Sequence, residues 1–179
     1  YFESAVKKEG ISDALRAMEN LARNGNVDAI KRVGILYASG EGVSKNRETA
    51  IDWLSKAAEL KDSQAMYMIG EIYEEVDNLG KAFEWYSKAA NANLLDATYV
   101  VASMYKEGRG TKKDDKQALK WYLKAANANF LDATYVVATM YEEGRGTSKD
   151  IKQAFKWYLR AAQDDDSYAI PKVAVMYEE

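Results

Sequence analysis

NANLLDATYVVASMYKEGRGTKKDDKQALKWYLKAA, residues 91–126, is followed without a gap by NANFLDATYVVATMYEEGRGTSKDIKQAFKWYLRAA, residues 127–162. Only 7 of the 36 aligned positions differ, which marks a recent tandem duplication. Self-similarity at a fixed period of this length is the signature of a stacked-repeat architecture. Working outward, Trp53, Trp85, Trp121 and Trp157 fall at spacings of 32, 36 and 36. Residues 28–58 form an older copy in which Tyr37 and Trp53 lie 16 apart, as do Tyr105 and Trp121, and Tyr141 and Trp157. Residues 65–90 span Tyr73 to Trp85 in only 12, so this copy has lost four residues from its internal loop. Upstream, residues 12–29 match 116–133 as half a repeat with Ala17 in place of the tryptophan, and residues 169–179 open another.

The spacing within a copy is helical. Ala97, Val101, Ala102, Met104 and Tyr105 form one apolar stripe at steps of 4, 1, 2 and 1, which is not strand alternation. Gly108 stands where a helix end wants a left-handed residue, and Gly110 lets the loop turn back. Asp114 or Asp115 suits the N-cap of a second helix, whose buried stripe is Ala118, Trp121, Tyr122, Ala125 and Ala126, with Trp121 filling the volume that the small residues leave. The expected helix pairs run 26–44 and 47–60, then 63–76 and 79–92, and onward in step with the tryptophans. No unit buries its stripe alone, so neighbours must stack. The expected fold is all-α: a right-handed α-α superhelix of about nine or ten helices, forming a single solenoid domain over 1–179. It divides into an N-terminal half-repeat (1–27), repeats at 28–62, 63–94 (shortened loop), 95–130 and 131–165, and a C-terminal half-repeat (166–179).

Composition agrees and excludes several chemistries. A single proline, Pro171, in 179 residues leaves long helices uninterrupted. With no cysteine and no histidine, thiolate or imidazole zinc sites, cysteine nucleophiles and histidine-dependent triads are ruled out. The lack of thiols does not discriminate between redox compartments. A net charge of −3 provides no global attraction for nucleic acid, and no apolar run is long enough for membrane insertion. The numbering begins at Tyr1 without an initiator methionine and stops inside a repeat, so further sequence, including a cleaved leader, is expected beyond either end.

The recurring pattern Ala-x3-Leu/Val-Gly/Ala-x2-Tyr-x2-Gly-x-Gly, then Ala-x2-Trp-Tyr/Leu-x-Lys-Ala-Ala, resembles the Sel-1-like repeat, a relative of the tetratricopeptide repeat. In copy 1 it reads Ala29, Val33, Gly34, Tyr37, Gly40, Gly42, Ala50, Trp53, Lys56, Ala57 and Ala58. It returns through Gly108, Gly110, Trp121 and Lys124, and through Gly144, Gly146 and Trp157. The Gly-x-Gly loop separates this pattern from the tetratricopeptide repeat, and copy 2 lacks it. The resemblance covers about residues 12–179 and implies a non-catalytic α-solenoid adaptor without cofactors that scaffolds other proteins. It also favours a bacterial protein in the periplasm or another exported compartment over the cytoplasm.

Three motifs have plain structural readings. Gly108-Arg109-Gly110-Thr111-Lys112-Lys113 is a helix–helix turn rather than a phosphate loop, since no strand precedes it. Lys116, Lys120 and Lys124, with Lys152, Lys156 and Arg160, form rows on the second helices. The rows break in copies 1 and 2 and lack interleaved aromatic residues for base stacking, so they read as a solvated outer face with no nucleic-acid partner. Asp164-Asp165-Asp166 lacks the ligand spacing of a calcium loop and reads as a polar connection that caps a helix.

By analogy with related solenoids, the first helices line the concave face. Once the packing positions are removed, copy 2 leaves Gln64, Tyr67, Glu71, Glu74 and Glu75 facing inward. Copy 3 leaves Asp96, Tyr99, Ser103, Lys106 and Glu107, and copy 4 leaves Asp132, Tyr135, Thr139, Glu142 and Glu143. A tyrosine ladder flanked by carboxylates suits a protein or peptide with a basic segment. Two rival readings are an inhibitor or immunity protein blocking a bacterial toxin, and a carboxylate-pair glycosidase, which an open groove disfavours. Ile170, Val173, Val175 and Met176 in the unfinished half-repeat predict end-to-end self-association.

Overall fold

Four times in succession the chain folds into a pair of 13-residue helices. The computed structural model describes residues 2–164 and 167–178, with side-chain surroundings for 13–164 and 167–177. Asp165 and Asp166 of the aspartate run lie outside the described residues. The elements are α1 (Phe2–Arg23), α2 (Val27–Ser39), α3 (Arg47–Glu59), α4 (Ser63–Glu75), α5 (Leu79–Asn91), α6 (Leu95–Glu107), α7 (Asp115–Asn127), α8 (Leu131–Glu143), α9 (Ile151–Gln163) and α10 (Ala169–Glu178). Among the described residues there are ten helices and no strand, as an α-solenoid requires. The helices group into two units, residues 1–92 and 93–179.

The helix ends follow from short polar side chains and glycines. Asn26, Asn46, Asp62, Asn78, Asp114 and Asp150 each accept a hydrogen bond from an N–H of the first turn that follows, satisfying donors that a helix start leaves unpaired. Gly40, Gly108 and Gly144 terminate α2, α6 and α8 at φ of 79°, 76° and 71°. The first pair is therefore shorter than the expected 26–44, because Gly40 stops α2 at Ser39. Copy 2 has no such glycine: Asp77 takes the left-handed turn at φ 57° and Asn78 caps α5 immediately afterwards. In all four copies the same bond closes the loop. The N–H of Asn46, Asn78, Asp114 and Asp150 donates to the carbonyl of Tyr37, Tyr73, Tyr105 and Tyr141 at 2.8–2.9 Å.

In the first unit α1 to α5 pack consecutively around Val33, Leu54, Ala57, Ala65 and Ile69. Gly34 and Gly70 permit the closest approaches. A Cβ on Gly34 would lie 2.7 Å from Leu54 Cγ, and one on Gly70 2.7 Å from the Tyr86 ring. Lys31 reaches across to the start of α4 to pair with Asp62 at 2.9 Å, the same carboxylate that caps that helix. In the second unit α6 to α10 pack likewise, with Val137, Tyr122, Ala125 and Ala133 in one cluster and Ala138, Tyr158 and Ala161 in another. Gly146 presses the repeat-4 loop against the start of α7, where a Cβ would meet the Asp115 carbonyl oxygen at 2.2 Å. Arg145 pairs with the Asp115 carboxylate beside it at 2.9 Å.

One assignment is corrected. The aromatic residue that fills the interior is the tyrosine after each tryptophan, not the tryptophan. Tyr86, Tyr122 and Tyr158 are fully buried, whereas Trp85, Trp121 and Trp157 are half-buried. Trp53 is the most enclosed of the four, and Leu54 stands in the tyrosine position of copy 1. Each tryptophan instead carries a cation on its face: Lys56, Lys88, Lys124 and Arg160 lie 4.0, 3.8, 5.1 and 5.3 Å from the ring centres. The shortened loop of copy 2 does not set Trp85 apart from Trp121. Tyr122→Ala should therefore destabilise the second unit by about 3–5 kcal/mol, as large-to-small changes of buried aromatics do. Trp121→Ala should cost clearly less. Denaturant unfolding of the two variants measures the difference.

Candidate functional site

The residues expected to bind a partner lie on α4 in the first unit and on α6 and α8 in the second. Their geometry repeats because the sequence does. Tyr67 is half-buried with its ring 5.1 Å from Tyr86. Tyr99 sits edge-on to Tyr122 at 5.4 Å and also 5.1 Å from Phe130. Tyr135 lies 5.4 Å from Tyr158 and 6.1 Å from Tyr168. Each candidate anchor thus rests on the buried tyrosine of its own repeat, with part of its ring open to solvent. Offset and edge-on ring pairs add stability beyond area burial, so these rings are held in place before any partner arrives.

The carboxylates are less available than their number suggests. The Tyr86 hydroxyl donates to Glu74 at 2.7 Å, and the Tyr158 hydroxyl donates to Glu142. Lys172 of α10 also donates to Glu142, at 2.9 and 3.1 Å to its two oxygens. Glu75 is shared by Lys45 and Arg47 at 3.1 and 3.2 Å. Glu107 lies 3.6 Å from Arg109 and Glu143 lies 3.8 Å from Arg145. Copy 3 carries Lys106 in place of Glu74 and Glu142, and there Ser103 takes over: it is hydrogen-bonded to the Tyr122 hydroxyl and donates to Glu107 at 3.2 Å. Thr139 turns back to the Val136 carbonyl at 2.8 Å. Glu71, exposed on α4, has no cation in contact among the described residues.

These surroundings shift the ionisable groups in opposite senses. Burial, then the bond to Glu74 or Glu142, pushes Tyr86 and Tyr158 far above an ordinary phenol. Burial likewise raises Tyr122, and Tyr99 is raised by burial and by the charges of Asp132 and Glu107. Bonds from Lys45 and Arg47 hold Glu75 below the usual carboxylate range. Burial opposes the lowering of Glu142, but bonds from Tyr158 and Lys172 outweigh it. Glu71 moves the other way: desolvation of its carboxyl, followed by repulsion from Glu74 and Glu75, raises it.

The structure brings Tyr99, Ser103 and Glu107 together with Tyr122, and Tyr135, Glu142 and Glu143 together with Tyr158 and α10. Sequence reasoning missed the internal pairing of the carboxylates. It also missed a cleft in the first unit, bordered by Ile35, Ala38, Met68 and Glu71, whose signal is the change from tyrosine to Leu54. A second cleft, of about 640 Å³, lies between Tyr135, Ile151, Tyr168 and Val175 in the second unit. The lysine rows stay on the second helices, with Lys120 and Lys156 exposed. Arg160 is engaged by the Ala126 carbonyl and by Asn129. Among the described residues no cluster of three or more acidic side chains could hold a metal ion, and no helix is long and apolar enough to cross a membrane.

The Sel1 repeat profile matches residues 27–62, 63–94, 95–130 and 131–166, and the chain belongs to the Sel1 repeat family. Its fold is similar to that of a Sel1 repeat protein from Oxalobacter formigenes. The two share 31% identity over 97% of this chain and 75% of that one, with a TM-score of 0.78. It is also similar to c5321, a protective antigen present in uropathogenic Escherichia coli strains, at 29% identity and a TM-score of 0.78. There the match covers 91% of this chain but only 36% of the antigen. Helicobacter pylori cysteine rich protein B is 26% identical over 71% of this chain and 94% of that one, with a TM-score of 0.53. This chain has no cysteine, so no disulfide links its helices. Comparison with curated protein sequences returns no match. Sel1 repeat proteins generally mediate protein–protein interaction, and the family is a non-catalytic repeat scaffold.

The ionisation pattern predicts a pH dependence. A tyrosine whose pKa is raised on folding stabilises the fold below about pH 10, the unfolded value, and that contribution fades as pH rises above it. Glu75 and Glu142, whose pKa values fall on folding, stabilise above about pH 4 and lose that effect as pH falls. Absorbance at 295 nm should show Tyr86, Tyr122 and Tyr158 ionising only with loss of helical circular dichroism. Smooth titration of all tyrosines in a folded chain would contradict this burial.

Proposed function

We propose that the chain is a scaffold that binds a protein or peptide through the first-helix faces of its repeats, with Tyr67, Tyr99 and Tyr135 as anchors. The observation that carries this reading is the bracing of each half-buried ring by a fully buried tyrosine beneath it. A ring already fixed in one orientation loses little freedom on binding, so more of its contact energy appears as affinity. Tyrosine is also a favoured interface anchor, and protein partners are the family's usual ligands.

Charge tunes the choice of partner. Because Glu74, Glu75, Glu107, Glu142 and Glu143 are already engaged, the acidity offered to a partner comes from exposed Glu71, Asp96 and Asp132. A basic segment fits that remainder, with a salt dependence smaller than a fully unpaired row of carboxylates would give. Affinity capture followed by cross-linking would name a partner. With that partner, Tyr99→Ala or Tyr135→Ala should speed dissociation about tenfold, the equivalent of about 1.4 kcal/mol, while Lys120→Ala and Lys156→Ala leave it unchanged. If only the lysine variants lose binding, the first-helix reading is wrong.

A second reading, self-association, is favoured by α10, where Ile170, Val175 and Tyr177 are 51%, 58% and 69% exposed. Exposed apolar side chains gathered on one helix are the raw material of an association surface. Light scattering should show the apparent mass rising with concentration, and Ile170→Lys with Val175→Glu should abolish the rise. A mass independent of concentration in the unaltered chain would remove this reading.

A further inference from the structure

Repeat 1 departs from the other three at linked positions. Repeats 2, 3 and 4 place Tyr86, Tyr122 and Tyr158 in the interior, with hydroxyls reaching Glu74, Ser103 and Glu142 respectively. Repeat 1 has Leu54 in the tyrosine position, and Ala38 where its successors carry Glu74, Lys106 and Glu142. Both the outer part of the ring and the long polar side chain over it are missing. The volume they would occupy is open as a cleft of about 230 Å³ between α2 and α4, floored by Ile35, Ala38, Leu54 and Met68. This is room on the scale of one long side chain.

The rim of the cleft carries Lys45, Glu71 and Glu75, and the charges there do not balance. Glu75 is held by Lys45 and Arg47. On the same helix, Glu74 accepts from Tyr86. Glu71 faces the cleft without a cation in contact among the described residues, and its neighbours Glu74 and Glu75 repel its charge. An acidic visitor would meet that same repulsion, and a short polar one would leave the apolar floor unfilled. A long side chain with an aliphatic stem and a cationic tip satisfies both parts, because such residues bury the stem along apolar surface while the charge reaches a polar rim.

We propose that this cleft receives one arginine or lysine side chain of a partner protein, its stem on Ile35, Ala38 and Met68 and its cationic head at Glu71. The proposal rests on the protein-binding reading above and gives that partner's basic segment a point of entry. It also places a point of charge selection between the first helices of repeats 1 and 2, with Glu71 on the same helix as the anchor Tyr67.

The test uses the whole chain labelled with carbon-13 at its six methionine methyls, which report the cleft (Met68), the cores (Met104 and Met140) and α10 (Met176) separately. The probe is an acetylated, amidated Gly-Arg-Gly peptide at millimolar concentration, with Gly-Glu-Gly as its counterpart. The expected result is a saturable shift of the Met68 methyl with the arginine peptide alone. Glu71→Gln should weaken it at least about threefold, as loss of a partly exposed charge pair does. Leu54→Tyr should abolish it by filling the cleft. Gly34 faces position 54 as Gly70 faces Tyr86, so the ring has a precedent within the chain, and if that variant fails to fold, Glu71→Gln decides alone. Equal response to the glutamate peptide, an unmoved Met68, or an undiminished shift in Glu71→Gln would overturn the proposal. If an identified partner depends on Tyr99 and Tyr135 while Met68 stays silent, the cleft is refuted and the protein-binding reading stands. If Met68 responds but no tyrosine variant affects that partner, the anchor reading fails and the cleft stands.

Discussion

The approach of one second-helix side chain to one small first-helix residue governs each repeat. Leu54 meets Gly34 and Tyr86 meets Gly70 at distances that a Cβ would violate, while Tyr122 shares a core with Ala102, and Tyr158 with Ala138. The near-absence of a side chain on one helix creates the space that the other fills, so the two positions cannot vary independently. Where the filler is a tyrosine, it brings a hydroxyl into the interior, and a buried hydroxyl needs a partner. Glu74, Ser103 and Glu142 meet that need and are thereby drawn out of the pool of free surface groups. The same ring offers its edge or face to Tyr67, Tyr99 or Tyr135. Core packing, the pairing of carboxylates and the poise of the candidate anchors thus trace back to one steric match.

Much of this was legible in the sequence, because period and capping chemistry are local. The 16-residue interval from tyrosine to tryptophan, the Gly-x-Gly loops and the aspartates before α7 place most of the helices within a residue or two. What was not legible is which of two adjacent aromatic residues points inward. Trp121 and Tyr122 both lie on the apolar side of α7, and a step of about 100° between neighbours on a helix decides which is enclosed only once the crossing with α6 is known. The loop of copy 2 could not be read either, since Asp77 takes the left-handed conformation that a non-glycine residue adopts only uncommonly.

The charge distribution was hidden for a related reason. Lys45 and Glu75, Asp115 and Arg145, and Glu142 and Lys172 are each 30 residues apart, and Lys31 and Asp62 are 31 apart. The first three link one repeat to the next, and the last links α2 to the N-cap of α4. Read within one copy, the same residues look like unopposed acids and bases; read against the next copy, they cancel. Glu71 stands out only after this cancellation, as a carboxylate with no cation in contact among the described residues.

Within each unit, every extensive helix packing is between helices consecutive in the chain, and this has a kinetic side. Bringing such neighbours together closes only short loops, so little chain entropy is lost before packing begins to repay it. Each unit can start from any neighbouring helix pair and grow by adding the next, with no distant segment to wait for. The near-copies at 91–126 and 127–162 are then less hazardous than two identical strands would be. A helix meets its rightful neighbour within tens of residues, long before the duplicate can compete for its place.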